Sequence, residues 1–111
     1  MSLIKWEDFE KVDIRLGTVI EARPFPNARK PAFQLSIDFG ALGIKRSSAQ
    51  ITAYYKAEEL VGQQVIAVVN FPPKQIANFF SECLVLGIYD EKNEVVLLKP
   101  AHPVANGSKI G

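Results

Sequence analysis

Asp13-Ile14-Arg15-Leu16-Gly17-Thr18-Val19-Ile20-Glu21-Ala22-Arg23 alternates along its length. Ile14, Leu16, Ile20 and Ala22 share one parity; Asp13, Arg15, Gly17, Glu21 and Arg23 share the other. A period of two is that of a long strand with one buried face. Gly17 in mid-strand predicts a bulge or sharp coil, which lets a small sheet curl shut. Pro24-Phe25-Pro26-Asn27 ends the strand. Downstream, Phe33, Leu35, Ile37 and Phe39 alternate with Gln34, Ser36 and Asp38, a second strand. Gly40-Ala41-Leu42-Gly43 turns the chain into a third, polar strand from Ile44 to Ile51. A short helix follows over Lys56–Val61, with Gly62 placed as the left-handed residue past its end. Gln64 to Asn70 is a buried strand by its β-branched run, and Pro72-Pro73 stops it. Lys74 to Phe80 reads as an irregular or one-turn segment. Cys83–Tyr89 and Glu94–Lys99 form a hairpin across Asp90-Glu91-Lys92-Asn93.

Upstream, Trp6, Phe9 and Val12 fall three apart on one helical stripe. So short a helix is unstable alone and must pack on its own domain or on a partner chain. Three strands, a short helix and two or three further strands are the order of an OB-fold. This all-β architecture is a five-stranded Greek-key barrel, here with a short N-terminal helix and a short helix between strands three and four. A plain five-stranded sandwich is the rival. The helix position and the coiled first strand favour the barrel.

The chain has 111 residues, 48% of them hydrophobic and 23% charged. That is one domain, residues 1–111, and an ordinary globular composition. One Cys and one His exclude a disulfide framework and Cys- or His-rich metal sites, so no metal is expected. The start turns acidic at Glu7-Asp8 before any apolar run develops, unlike a secretory signal. The longest apolar run, Val65–Val69, is far short of a membrane helix. A cytoplasmic protein without membrane insertion is the expectation.

No nucleophile–base motif, metalloprotease motif, P-loop or dinucleotide fingerprint occurs. Cys83 lies among apolar neighbours and reads as buried and inert. His102 reads as a bystander near the tail. Charge is more informative. The formal net charge is +1, but Arg23 to Lys56 holds six basic residues against one acid, a net +5. The remainder holds seven against eleven, a net −4. The basic stretch covers the first inter-strand loop and strands two and three, where OB-folds take their ligands. Lys45-Arg46-Ser47-Ser48-Ala49-Gln50 supplies the cations and neutral donors that phosphate contact uses. The competing reading is a solvated strand edge whose cations block edge pairing. Tyr54-Tyr55 either stack bases or cover the barrel end. Phe79-Phe80 cannot both point inward from an extended segment, so at least one is expected at the surface.

The run from Phe9 through Val19 resembles the F-x-K-x-D-I-R-x-G opening of the tRNA-binding-domain family. Ser47–Thr52, Val65–Lys74 and Ser81–Gly87 are similar to its later blocks, in order and spacing. Each block is weak alone, but four in register are specific, and the resemblance runs from Phe9 to Gly111. Within that family the likeness is to the CsaA family of small stand-alone bacterial members, and more broadly to the C-terminal domain of methionyl-tRNA synthetase. The resemblance implies OB-fold homodimers that bind tRNA by shape and backbone, without catalytic residues and without a cofactor. It also implies a chaperone role in protein export, with unfolded precursor polypeptides and the export ATPase as partners.

By position, the resemblance implies a ligand surface of Lys45, Arg46, Ser47, Ser48 and Gln50, with Asn70, Lys74, Ser81 and Glu82. Phe79 and Phe80 join it as apolar contacts for peptide. The helical segment 1–12 and the tail 100–111 are expected at a dimer interface through Trp6, Phe9, Val12, Val104 and Ile110. Two departures stand out. Lys74 is followed by Gln75 where relatives often continue with a basic residue. Cys83-Leu84 replaces a common Gly-Met. The alternatives are a peptide-only chaperone, or a structural or interaction module without nucleic-acid binding.

Overall fold

A computed structural model describes residues 1–111. In chain order the elements are α1 (Trp6–Glu10), β1 (Ile14–Pro24), β2 (Phe33–Asp38), a 3-10 turn (Gly40–Leu42), β3 (Ile44–Ala49), α2 (Ala57–Leu60), β4 (Gln64–Val68), β5 (Lys74–Ile76), β6 (Phe79–Ser81), β7 (Leu84–Val85), β8 (Gly87–Tyr89) and β9 (Val95–Leu97). Five strands form one antiparallel sheet in the order β3-β2-β1-β4-β7. It curls into a nearly closed barrel, with β5–β6 and β8–β9 as separate hairpins, so the OB-fold expectation holds. No helix is long and apolar enough to cross a membrane.

β1 makes the curl by serving two partners. Residues 14–18 pair with β4 and residues 18–24 with β2. Gly17 sits at the changeover, where a Cβ would lie 2.6 Å from Ile37 Cγ2 and 2.7 Å from Phe39 Cε1. Its role is close approach across the coil. The bulge itself falls three residues later, between Val19 and Glu21. It corrects the expected inward parity. Val19 is buried and Ile20 is exposed, because the extra residue at the bulge shifts the faces before Ala22 packs on the core again.

β2 keeps strict alternation, and Phe33, Leu35, Ile37 and Phe39 enter the main core of eleven buried residues with Val19, Leu60, Val65 and Cys83. A second cluster, Phe25, Ala32 and Phe79 with Ala28 and Ile76, lies between the β1–β2 loop and the β5–β6 hairpin. Gly62 has φ +91° after α2, as expected. Lys74–Phe80 is the main correction to the element reading. It forms a hairpin with a two-residue turn at Ala77-Asn78, where Ala77 takes φ 53°. A positive φ at alanine carries no sequence signal of the Asn-Gly kind, so the turn was not legible.

The barrel is finished in two ways. Along β1, opposite the edge taken by β4, segment 106–110 adds backbone bonds: Leu16 N–H to Ser108 O (2.9 Å), Gly107 N–H to Leu16 O (2.7 Å) and Ile110 N–H to Ile14 O (3.0 Å). The Arg15 guanidinium donates to Asp13 Oδ1 (2.6 Å) and to Gly107 O (3.0 Å). At the sheet edge, β3 meets residues 81–83 with one backbone bond, Glu82 N–H to Arg46 O (2.7 Å). Side chains supply the rest. Arg46 N–H donates to Glu82 Oε1 (3.0 Å), Ser48 N–H to Ser81 Oγ (3.1 Å) and Ser47 Oγ to Cys83 O (3.0 Å).

Candidate nucleic-acid interface

On β3 the strand pleat sends Ser47 and Ala49 inward, while Arg46 and Ser48 stand outward opposite Ser36 and Gln34. The adjacent β5–β6 hairpin puts Lys74 opposite Ser81, and the pair one step along is Gln75 and Phe80. Successive pairs face opposite sides of a hairpin. Lys74 and Ser81 therefore line a groove of about 740 Å³ together with Ser48 and Gln50. Lys30 from the β1–β2 loop and Tyr89 from β8 line the same groove. A smaller cavity of about 320 Å³ lies beside it, walled by Phe71, Pro72 and Glu82 and sharing Lys74, Ser81, Cys83 and Leu84 with the groove.

The Arg46 guanidinium lies 4.3 Å from the centre of the Phe79 ring, and that ring packs at 5.3 Å on Phe25. Arg46 is thus held by a cation–π contact yet remains exposed. Cys83 is buried, and desolvation, with Glu82 beside it, pushes its thiol up to about 11 against a smaller opposing pull from Lys45. Its burial is as the sequence predicts, and a raised pKa disfavours the thiolate form. His102 is exposed on the tail.

Four of the expected ligand residues are taken up by the frame. Ser47 is only 1% exposed, and its hydroxyl is spent on the Cys83 carbonyl, so it presents nothing to a ligand. Asn70 is exposed, but its amide accepts from Asp13 N–H (2.9 Å) and donates to Lys11 O (2.7 Å), tying α1 to β1. Glu82 caps Arg46 N–H. Phe79 is 2% exposed in the second cluster. Phe80 is 53% exposed, as one of the pair had to be, but it faces away from the groove on the outer side of the hairpin. Neither phenylalanine lines the concave face. Lys45, Arg46, Ser48, Gln50, Lys74 and Ser81 keep reach to the surface, and Ser48, Gln50, Lys74 and Ser81 converge on the groove.

Several groove residues were missed as individuals, Lys30 and Tyr89 among them. Lys30 was visible only as part of the basic stretch. Tyr89 had no signal, because its direction depends on the register of the β8–β9 hairpin. Tyr54 and Tyr55 hold that hairpin in place. The Tyr54 hydroxyl donates to Asp90, and the Tyr55 hydroxyl accepts from Leu97 N–H (2.9 Å). The bond to Asp90 raises the Tyr54 pKa, and the same bond lowers that of Asp90.

An OB barrel with a cation-flanked groove beside β3 is the architecture of a nucleic-acid-binding module. A family profile described as "Putative tRNA binding domain" matches residues 14–109, and the chain belongs to that tRNA-binding-domain family. It is 55% identical to chaperone CsaA of Bacillus anthracis str. Ames, with a TM-score of 0.94 over 99% of this chain and 100% of that one. It is 52% identical to the CsaA chaperone protein of Picrophilus torridus, with a TM-score of 0.92 over 98% of this chain and 100% of that one. A methionine–tRNA ligase of Porphyromonas gingivalis is 39% identical over 107 residues, which are 96% of this chain. The chain spans 15% of that ligase's length.

Proposed function

We propose that this chain is a non-catalytic tRNA-binding protein of CsaA type that also acts as a chaperone in protein export. Its partners on this reading are tRNA, unfolded precursor polypeptides and the export ATPase, and its place is the cytoplasm. The observation that carries the tRNA reading is the gathering of cations around the β5–β6 hairpin. Arg46 stacks on Phe79 of β6, Lys74 lies on β5, and Lys30 shares the groove with Lys74. Lys45, Arg46 and Lys74 neutralise phosphate and release counterions, while Ser48, Gln50 and Ser81 add neutral donors.

The protein acts as a homodimer on this reading. α1 has no buried residue; Trp6 is 65% exposed and stacks on Phe9 at 5.5 Å between ring centres. Val12, Val104 and Ile110 are exposed as well. Segments 1–12 and 100–111 supply the interface, and a monomer in sedimentation equilibrium at micromolar concentration removes it.

A salt series tests the ligand. Affinity for tRNA falls linearly on a log–log plot, and Lys45→Ala, Arg46→Ala and Lys74→Ala each make the slope shallower by about 1. A slope untouched by all three removes the basic face from the mechanism. The cavity walled by Phe71, Pro72 and Leu84 favours a second reading, a peptide-only chaperone. Unfolded polypeptide bound with little salt dependence, and tRNA not bound, establishes that reading instead.

A further inference from the structure

The three tyrosines that meet at the β8–β9 hairpin are used differently. Tyr54 and Tyr55 spend their hydroxyls on the hairpin: one holds its turn through Asp90, the other holds β9 through Leu97 N–H. Asp90 also accepts from Lys92 N–H (2.9 Å) and Glu94 N–H (3.0 Å), so the turn is fixed from inside as well. Tyr89 sits one residue before that turn, is 70% exposed and lines the groove, with no hydrogen bond from its hydroxyl within the chain. An aromatic ring is thus held on a braced wall with its surface open. The groove has two cations, Lys30 and Lys74, and one acid, Glu94, and it carries the amides of Gln50 and Asn93.

We infer that this groove is a subsite for unpaired nucleotides, in which a base stacks on Tyr89 and the flanking phosphates meet Lys30 and Lys74. This deepens the tRNA reading and rests on it. Exposed aromatic rings beside a basic track are the means by which proteins hold single strands, because every base has a stacking face. Bases within an A-form duplex have those faces covered by their neighbours, and duplex RNA is bound through its 2′-hydroxyls and phosphates. Gln50 and Asn93 supply amide groups for base edges, and the two lysines enter from different elements, the β1–β2 loop and β5.

The test compares a fluorescently labelled single-stranded RNA of roughly five nucleotides with a blunt A-form RNA duplex and with whole tRNA, by anisotropy on the intact protein. The short single strand binds and competes with tRNA, and the blunt duplex binds more weakly. Tyr89→Ala weakens single-strand binding about tenfold with the salt slope unchanged, as loss of stacking requires, and Tyr89→Phe retains it. Lys74→Ala instead makes the slope shallower by about 0.7, the value per phosphate for a single strand. Unaltered circular dichroism of Tyr89→Ala keeps misfolding out of the comparison.

If tRNA binds but the short strand does not, or if Tyr89→Ala is indistinguishable from the parent, the subsite is overturned while the tRNA reading stands. If no RNA binds at all, both fall. An unfolded apolar peptide that binds with Tyr89 dependence where RNA does not makes the groove a peptide site and overturns the inference.

Discussion

The barrel sheet is completed by different chemistry at two places, along its central strand β1 and at its edge strand β3. At β1 the partner is segment 106–110, and the bonds run largely between backbones. Such a clasp places few demands on side chains, except where two chains approach too closely for a Cβ. Gly107 has φ +87°, and a Cβ there would lie 2.6 Å from Phe39 O. Gly40, with φ +66°, would meet Asn106 O at 2.5 Å. At β3 the partner is residues 81–83, and most of the bonds end on the side chains of Glu82, Ser81 and Ser47. Side chains there do the work of a missing strand, so this seam depends on residue type. The difference separates scaffold from site: the backbone clasp lies away from the groove, and Ser81 and Cys83 of the seam line it.

The clasp should be hurt most by a single methyl. Gly107→Ala forces a left-handed alanine against a carbonyl and is expected to cost about 3 kcal/mol in urea denaturation. A loss below about 1 kcal/mol would mean that segment 106–110 is not held as described. Next in size is the seam at high pH. The folded Cys83 thiol ionises near 11, above its unfolded value, so its contribution is fully present below about pH 9 and is lost as pH rises through 11. That is a decline of about 2–3 kcal/mol. Cys83→Ala is expected to cost about 1–2 kcal/mol at pH 7 and to lack this decline; equal slopes in the two proteins would contradict burial of the thiol. Glu82→Ala removes the acceptor of the exposed Arg46 N–H and is expected to cost about 1 kcal/mol, whereas Glu82→Gln keeps an acceptor and costs less than half as much. Equal losses would show that charge, not the capped amide, holds the seam. The smallest effect is Arg46→Ala, about 0.5–1 kcal/mol of stability for the contact with Phe79, with a much larger change expected in tRNA titrations.

Much of the fold was legible because alternation and turn residues are local. β2 shows it plainly: Phe33, Leu35, Ile37 and Phe39 were readable as one face, and all four are buried. β1 shows the limit, since one bulge after Val19 reversed the face that Ile20 was expected to take. The candidate site was legible as a region rather than as atoms. Basic density marked β3 and the loop containing Lys30. The uses of Ser47, Asn70 and Glu82 depend on partners 36 to 59 positions away, and nothing local announces such bonds. Phe79 and Phe80 were correctly split into one buried and one exposed, but the turn at Ala77 decides which way the exposed ring faces.

The shared strand β1 also sets an order of events when the chain is made. Its pairing with β2 joins near neighbours, but Arg15 reaches Gly107 across 92 positions. A growing chain therefore forms the β1–β2 meander early, and residues 14–16 wait with an open edge until segment 106–110 exists. Open edges invite pairing with other chains, and long-range closure is slow. The interval between those two moments, rather than the finished barrel, is when this protein is most exposed to aggregation, and a chain cut before Asn106 would remain in it.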